Sequence, residues 1–132
     1  MDKEQLKERV SKAIDEHRDE IIEIGERIFK NPELGFKEHK TSALVKEVFK
    51  SLDLPYEENL AITGVKALAK GKNHDVKVAI MGELDAVVSP AHPCADPVTG
   101  AAHACGHNAQ IAAMLGAAMG LVFGGALDKL YG

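Results

Sequence analysis

The stretch that decides the fold is His103-Ala104-Cys105-Gly106-His107-Asn108, which runs straight into AQIAAMLGAAMGLVFGGAL at 109–127. In an extended backbone residues two apart share a face, so His103, Cys105 and His107 are expected to project the same way. Gly106 lets the chain turn there without a Cβ clash. Thiolate and imidazole are ligands that zinc prefers, so Cys105-x-His107 reads as half of a metal site. A small buried hydrophobe at Cys105, between two polar loop histidines, satisfies the same spacing.

The run at 109–127 is apolar apart from Gln110 and long enough to span a bilayer. Gly116, Gly120 and Gly124 even repeat the small-xxx-small spacing of membrane helix pairs. Ala and Gly dominate it, however, and basic flanking residues are scarce. A helix that is apolar all round is a buried one. Its glycines are expected to let it lie close against a sheet.

Working upstream, residues 76–81 are nearly continuously apolar, broken by Lys77, as in a central strand covered on both faces. That strand ends at Gly82-Glu83-Leu84-Asp85. Open α/β sheets bind ligands at the carboxyl ends of their strands, and Glu83 and Asp85 stand there, two apart. Two acids at such a point are also ordinary solvated loop residues. Residues 87–102 form a proline-stiffened loop, expected to rim a substrate entrance. Its His92, Cys94 and Asp96 mimic a second ligand cluster, although polar residues are usual in such a loop.

The N-terminal half supplies the rest of the layers. Val10, Ile14, His17, Ile21, Ile24 and Ile28 make a helical stripe over 3–29, read as packing on a sheet in preference to a coiled coil. Pro32 stops that helix. In the connector after it, Glu33 and Phe36 either meet substrate or pin the loop to the core. A second helix over 41–52 buries Leu44, Val45, Val48, Phe49 and Leu52. Residues 54–58 and 63–70 read as strands. The order predicts an α/β fold, a helix-flanked mixed sheet.

A length of 132 residues suits one domain, and 45% hydrophobic with 27% charged residues is the balance of a soluble globular protein. A net charge of −4 lacks the basic footprint of a nucleic-acid binder. The two cysteines, Cys94 and Cys105, are expected to be free. The charged, helical N-terminus does not read as a targeting peptide, so a cytoplasmic location without membrane association is expected.

The motifs NPELGF at 31–36, ELDA at 83–86, HACGHN at 103–108 and LGAA at 115–118 stand in one order along the chain. In that order they resemble the zinc-dependent amidohydrolases that include N-acyl-amino-acid, hippurate, auxin-conjugate and aminobenzoyl-glutamate hydrolases. The resemblance implies that residues 1–132 are an incomplete, N-terminal part of a zinc exopeptidase-like catalytic domain, without its C-terminal part or its lid and dimerisation domain. It implies metal-dependent hydrolysis of the amide bond of a small N-acyl amino acid or peptide-like substrate. Cys105, as thiolate, and His107 would be ligands of zinc or manganese. The metal site is dinuclear in the family and incomplete here. Asp85 would orient the ligand imidazole from behind.

The family's general-base glutamate pair and its further histidines come from later in a longer chain. After Asn108 this chain has only Asp128 as an acid and no histidine. The chain as given is therefore expected to be an inactive fragment, with an apolar patch that invites homo-oligomerisation. Departures fall at Glu83 and Asn108, where the family often has Asp, and at Gln110, where it often has His. They lean weakly toward the aminobenzoyl-glutamate and dipeptidase branch. The alternative is a non-catalytic metal-binding or interaction domain.

Overall fold

The computed structural model describes residues 1–72 and 75–130. It is a mixed α/β chain in which helices build the core and the strands come as short pairs. Helix α1 (Lys3–Glu16) opens on a capping box. The Asp2 carboxylate accepts from the Gln5 amide at 2.9 Å, and the Gln5 side chain accepts from the Asp2 amide at 3.0 Å. Such reciprocal caps satisfy amides that the first turn leaves unpaired.

The long stripe over 3–29 is two helices. Helix α2 (Arg18–Phe29) starts after a break at His17, whose φ of −103° and ψ of 15° leave the helical region. Neither Pro nor Gly stands at the break. The tertiary contact found there is the His17 ring stacked on Phe123, with centroids 4.1 Å apart. Helix α3 (His39–Ser51) buries Leu44, Val45, Val48 and Phe49, as its apolar spacing predicts.

Its start is capped from outside the helix. The Glu33 carboxylate accepts from the amides of Lys40 and Thr41 at 2.9 Å each, and from the Thr41 hydroxyl at 3.0 Å. A carboxylate at this helix end also meets the positive pole of the backbone dipoles. Glu33 thus pins the connector. Phe36, 66% exposed at a φ of 63°, is not part of the core.

Strands β1 (Tyr56–Leu60) and β2 (Gly64–Ala67) pair antiparallel, with an irregularity between Glu57 and Leu60. Strands β3 (Val87–Val88) and β4 (Ala101–Ala102) also pair antiparallel, so the proline-rich loop at 89–100 closes a hairpin. One parallel bridge joins Leu34 to Ala86, and the Ala86 amide donates to the Glu33 carbonyl at 2.7 Å. That bridge sets the Glu83–Asp85 segment beside the connector after α2.

The stretch 76–81 is the main departure from expectation. It forms no strand, and Val76, Val78, Ile80 and Met81 are 55%, 84%, 59% and 84% exposed. A strand apolar on both faces needs neighbours in a sheet and cover above and below. No described strand pairs with it.

Helix α4 (His107–Phe123) carries the centre of the core through Ile111, Ala112, Leu115 and Met119, which meet Ile24, Ile28, Val45 and Phe49. Its burial is one-sided, for Ala113 and Phe123 are exposed. The glycine stripe lies against the α1–α2 pair, not against a sheet. A Cβ at Gly116 would come 3.1 Å from Ile21 Cδ1, and one at Gly120 would come 2.7 Å from Ile14 Cγ1. Among the described residues no helix is long and apolar enough to cross a membrane.

Candidate metal centre

Three segments meet at the start of α4: the turn at 103–106, the loop at 83–86, and the first turn of α4 itself. Gly106 takes the left-handed conformation at φ 80°, with nothing within 4 Å of where a Cβ would stand. That bend ends the extended geometry assumed for the HACGHN stretch. As a result His103, Cys105 and His107 do not share a face. His103 is 5% exposed, Cys105 lies on the surface, and His107 is half-buried.

His107 is held from both sides. Its Nδ1 lies 2.8 Å from the Asp85 carbonyl oxygen and 3.2 Å from the Asp85 carboxylate. Its Nε2 lies 3.0 Å from Glu83 Oε2. Both ring nitrogens thus face acceptors; a neutral imidazole that donated from Nδ1 to Asp85 would carry its lone pair at Nε2, the tautomer a metal ligand needs, once Nε2 no longer donated to Glu83. Asp85 therefore stands where an orienting carboxylate would stand.

Gln110, one helical turn on from His107, fixes the loop opposite. Its Oε1 accepts from the Glu83 amide at 2.6 Å, and its Nε2 donates to Glu83 Oε2 at 3.4 Å. Asn108 points the other way, donating from Nδ2 to the Gly25 carbonyl at 3.3 Å and tying α4 to α2.

His103 is an anomaly. Neither ring nitrogen has a hydrogen-bond partner among the described residues. Burial holds its pKa below the ordinary histidine range, helped by the charge of His107 and opposed by Asp85 and Glu33. The neutral ring is the form that tolerates such a site.

The second cluster suggested by His92, Cys94 and Asp96 is spent on the loop. His92 Nδ1 accepts from the Cys94 amide at 3.1 Å. Asp96 Oδ1 accepts from the amides of Val98 and Thr99 and from the Thr99 hydroxyl, at 3.0, 2.7 and 2.9 Å. The Thr99 amide is the main cause of its carboxyl sitting below the usual range. A shallow depression of about 350 Å³ in this hairpin is lined from Val88 to Gly100 and includes none of Glu83, Asp85, Cys105 or His107. Both cysteines are free.

Among the described residues no three His, Cys, Asp or Glu side chains form a ready group for a metal ion. The donors that fit one chemically are the exposed thiol of Cys105 and the Nε2 of His107. Neither hydrogen-bond clamp, at Asp85 or at Gln110, follows from spacing; Gln110 is marked in the sequence only as a departure from the family pattern.

These features define an α/β chain presenting a thiol and an oriented imidazole at a helix start. Comparison with known proteins places it more closely. It is 36% identical to thermostable carboxypeptidase 2 of Saccharolobus solfataricus over 89% of this chain and 31% of that protein. It is 33% identical to the hippurate hydrolase of Campylobacter jejuni over 85% of this chain and 31% of that protein. It is also 38% identical to the IAA-amino acid hydrolase ILR1-like 5 of Arabidopsis thaliana, over 76% and 23% respectively. The chain belongs to this family of amidohydrolases and carboxypeptidases, and it spans less than a third of the length of these relatives. No protein-family model matches it, and no solved structure is a significant match.

Proposed function

We propose that this chain carries the Cys105–His107 portion of the metal site of an amidohydrolase that cleaves N-acyl amino acids or related conjugates. The observation that carries the reading is His107 itself, with Nδ1 engaged by Asp85 and Nε2 turned to the Glu83 carboxylate, two residues after an exposed thiol. Relatives named as carboxypeptidase, hippurate hydrolase and IAA-amino acid hydrolase support the reaction class.

Zinc or manganese held by Cys105 and His107 would supply Lewis-acid polarisation of the amide carbonyl. The chain's own residues do the positioning. The Asp85 carbonyl and carboxylate fix the tautomer and plane of His107. Cys105 would bind as thiolate. The exposed apolar stretch 76–81 supports the reading that these residues belong to a larger catalytic domain whose sheet covers that stretch.

Among the described residues the carboxylates at the site, Glu83 and Asp85, are both engaged by His107 and neither stands free to take a proton during hydrolysis, a role typically worth about 10²–10⁴-fold. The chain is therefore expected to bind metal without turning over N-acetyl, N-benzoyl or aminobenzoyl-glutamate substrates. Metal analysis after equilibration with zinc or manganese tests the site. Cys105→Ser is expected to lower occupancy and Cys94→Ser to leave it unchanged, with binding weakening at acid pH because both ligands must lose protons. The opposite ranking of the two variants refutes the assignment. Turnover that disappears in Cys105→Ser refutes the fragment reading.

A further inference from the structure

Two large apolar side chains stand exposed on strained backbone. Phe36 is 66% exposed at a φ of 63°, and Ile62 is 60% exposed at a φ of 82°. The Leu34 carbonyl accepts from the Lys37 amide at 2.9 Å, so Phe36 is the third residue of the turn from Leu34 to Lys37. Ala61, at a φ of 46°, and Ile62 stand in the turn of the β1–β2 hairpin. Such left-handed turn positions are filled at little cost by glycine, asparagine or aspartate. A bulky or β-branched side chain there is an outlier that costs stability. Burial does not offset that cost, since both side chains lie mostly outside the core.

One buried hydrogen bond ties the two turns together. The Thr63 hydroxyl donates to Glu38 Oε2 at 2.7 Å, and both residues are buried. The other carboxylate oxygen, Oε1, lies 4.0 Å from where a Cβ on Gly35 would stand. Gly35 and Thr63 thus flank a single carboxylate, and Phe36 and Ile62 are their chain neighbours. The connector is fixed on a second side, where Leu34 bridges Ala86, the residue after Asp85. One strained turn therefore lies on the connector that borders the Asp85 loop, and the other is tied to it. Strain that the surrounding structure holds in place gathers at ligand clamps. We propose that Phe36 and Ile62 form the seat for the apolar acyl group of the substrate, with Glu38 and Thr63 as positioning residues that hold the two turns together; this rests on the N-acyl amino acid reading above. A ring and a branched aliphatic side chain take a flat aromatic acyl group better than an acetyl group, through ring pairing and the larger area removed from water.

The chain contains no tryptophan, so N-(indole-3-acetyl)-L-alanine added to the 132-residue chain is the sole indole and its emission reports binding. No metal is added. The parent chain is expected to give a saturable emission change that N-benzoylglycine competes away and N-acetyl-L-alanine does not. Phe36→Gly and Ile62→Asn suit their left-handed positions better than the native residues do, so each is expected to keep or raise the melting temperature. Each is also expected to weaken the indole conjugate by about two- to tenfold, the range of one aromatic contact. Ile22→Ala removes an exposed apolar side chain on α2 and is expected to leave binding unchanged. A Phe36→Gly chain that melts well below the parent overturns the proposal, because the ring would then be structural. Unchanged affinity in either turn variant, equal weakening in Ile22→Ala, or an indole conjugate that does not bind the parent also overturns it, and leaves the Cys105–His107 reading to its own metal analysis. Sedimentation that shows a parent dimer lost in both turn variants, with the affinity for the conjugate unchanged, assigns the two side chains to a second copy of the chain and overturns the proposal as well.

Discussion

Two glycines of α4 make the same sequence signal and are expected to answer an added methyl group differently. A Cβ at Gly116 meets the tip of a side chain, Ile21 Cδ1, at 3.1 Å. A Cβ at Gly120 meets Ile14 Cγ1 at 2.7 Å, Ile14 Cδ1 at 2.9 Å and Val10 Cγ1 at 3.1 Å. Carbon atoms in good contact lie about 3.5–4.0 Å apart, so Ile21 must yield by about half an ångström and Ile14 by about one. Ile21 can yield by turning its terminal methyl. Ile14 is met at an inner carbon with Val10 beside it, so α1 itself must move.

Both substitutions gain helix propensity, about 0.8–1 kcal/mol for Ala over Gly. Overpacking of a tight contact costs about 1–3 kcal/mol. Gly116→Ala is therefore expected to be neutral or slightly stabilising, and Gly120→Ala to lose up to about 2 kcal/mol net. Gly120→Leu is expected to lose at least the 1–3 kcal/mol of overpacking without a full propensity gain to offset it. Urea unfolding followed by circular dichroism gives the midpoints, at unchanged slope for a valid comparison. A Gly120→Ala chain as stable as Gly116→Ala, or Gly120→Leu as stable as the parent, refutes the packing of α4 against α1.

Two further outcomes follow from the buried polar groups. Because the folded-state pKa of His103 is lowered from 6.5, the unfolded chain takes up protons first on acidification. The metal-free protein should thus keep this stability above 6.5 and lose it as pH falls below that value; urea midpoints at neutral and mildly acid pH check this, and a His103→Gln chain with the same acid slope as the parent refutes it. Glu33→Ala removes three acceptor contacts at the start of α3 and should destabilise by about 1–3 kcal/mol, a loss read as a lower melting temperature and only partly recovered in Glu33→Gln, whose single amide oxygen replaces one of the two carboxylate acceptors; an unchanged melting temperature in Glu33→Ala refutes this.

The elements that the sequence made plain are those whose signals are local. The faces of α2 and α3 could be read from the spacing of Ile24, Ile28, Leu44, Val45, Val48 and Phe49, all of which lie in the core. The ends of the helices were less plain, for the first stripe breaks at His17, whose ring stacks on Phe123, a residue more than a hundred positions away. The stretch 76–81 has the strongest strand pattern in the chain and no strand, since pattern records what a segment needs on its flanks and not whether the described residues supply it.

The site divides along the same line. Period-two spacing put His103, Cys105 and His107 together, and the turn at 104–105 with the positive φ of Gly106 breaks the extended backbone that this spacing assumes, although the glycine was visible as a turning point. Asp85 was singled out by the resemblance, since two acids at an expected strand end are as often solvated, and its contact with Nδ1 needed the fold to bring loop and helix together. Gln110 and Glu83 lie 27 residues apart, and nothing in their spacing pairs them. What joins them is that α4 begins at His107, so Gln110 falls on the turn above and faces the same loop. The two positions are matched in the fold, an acid held at its backbone amide and at its carboxylate by one side-chain amide, and a lower melting temperature in Gln110→Ala than in the parent is where that match becomes measurable.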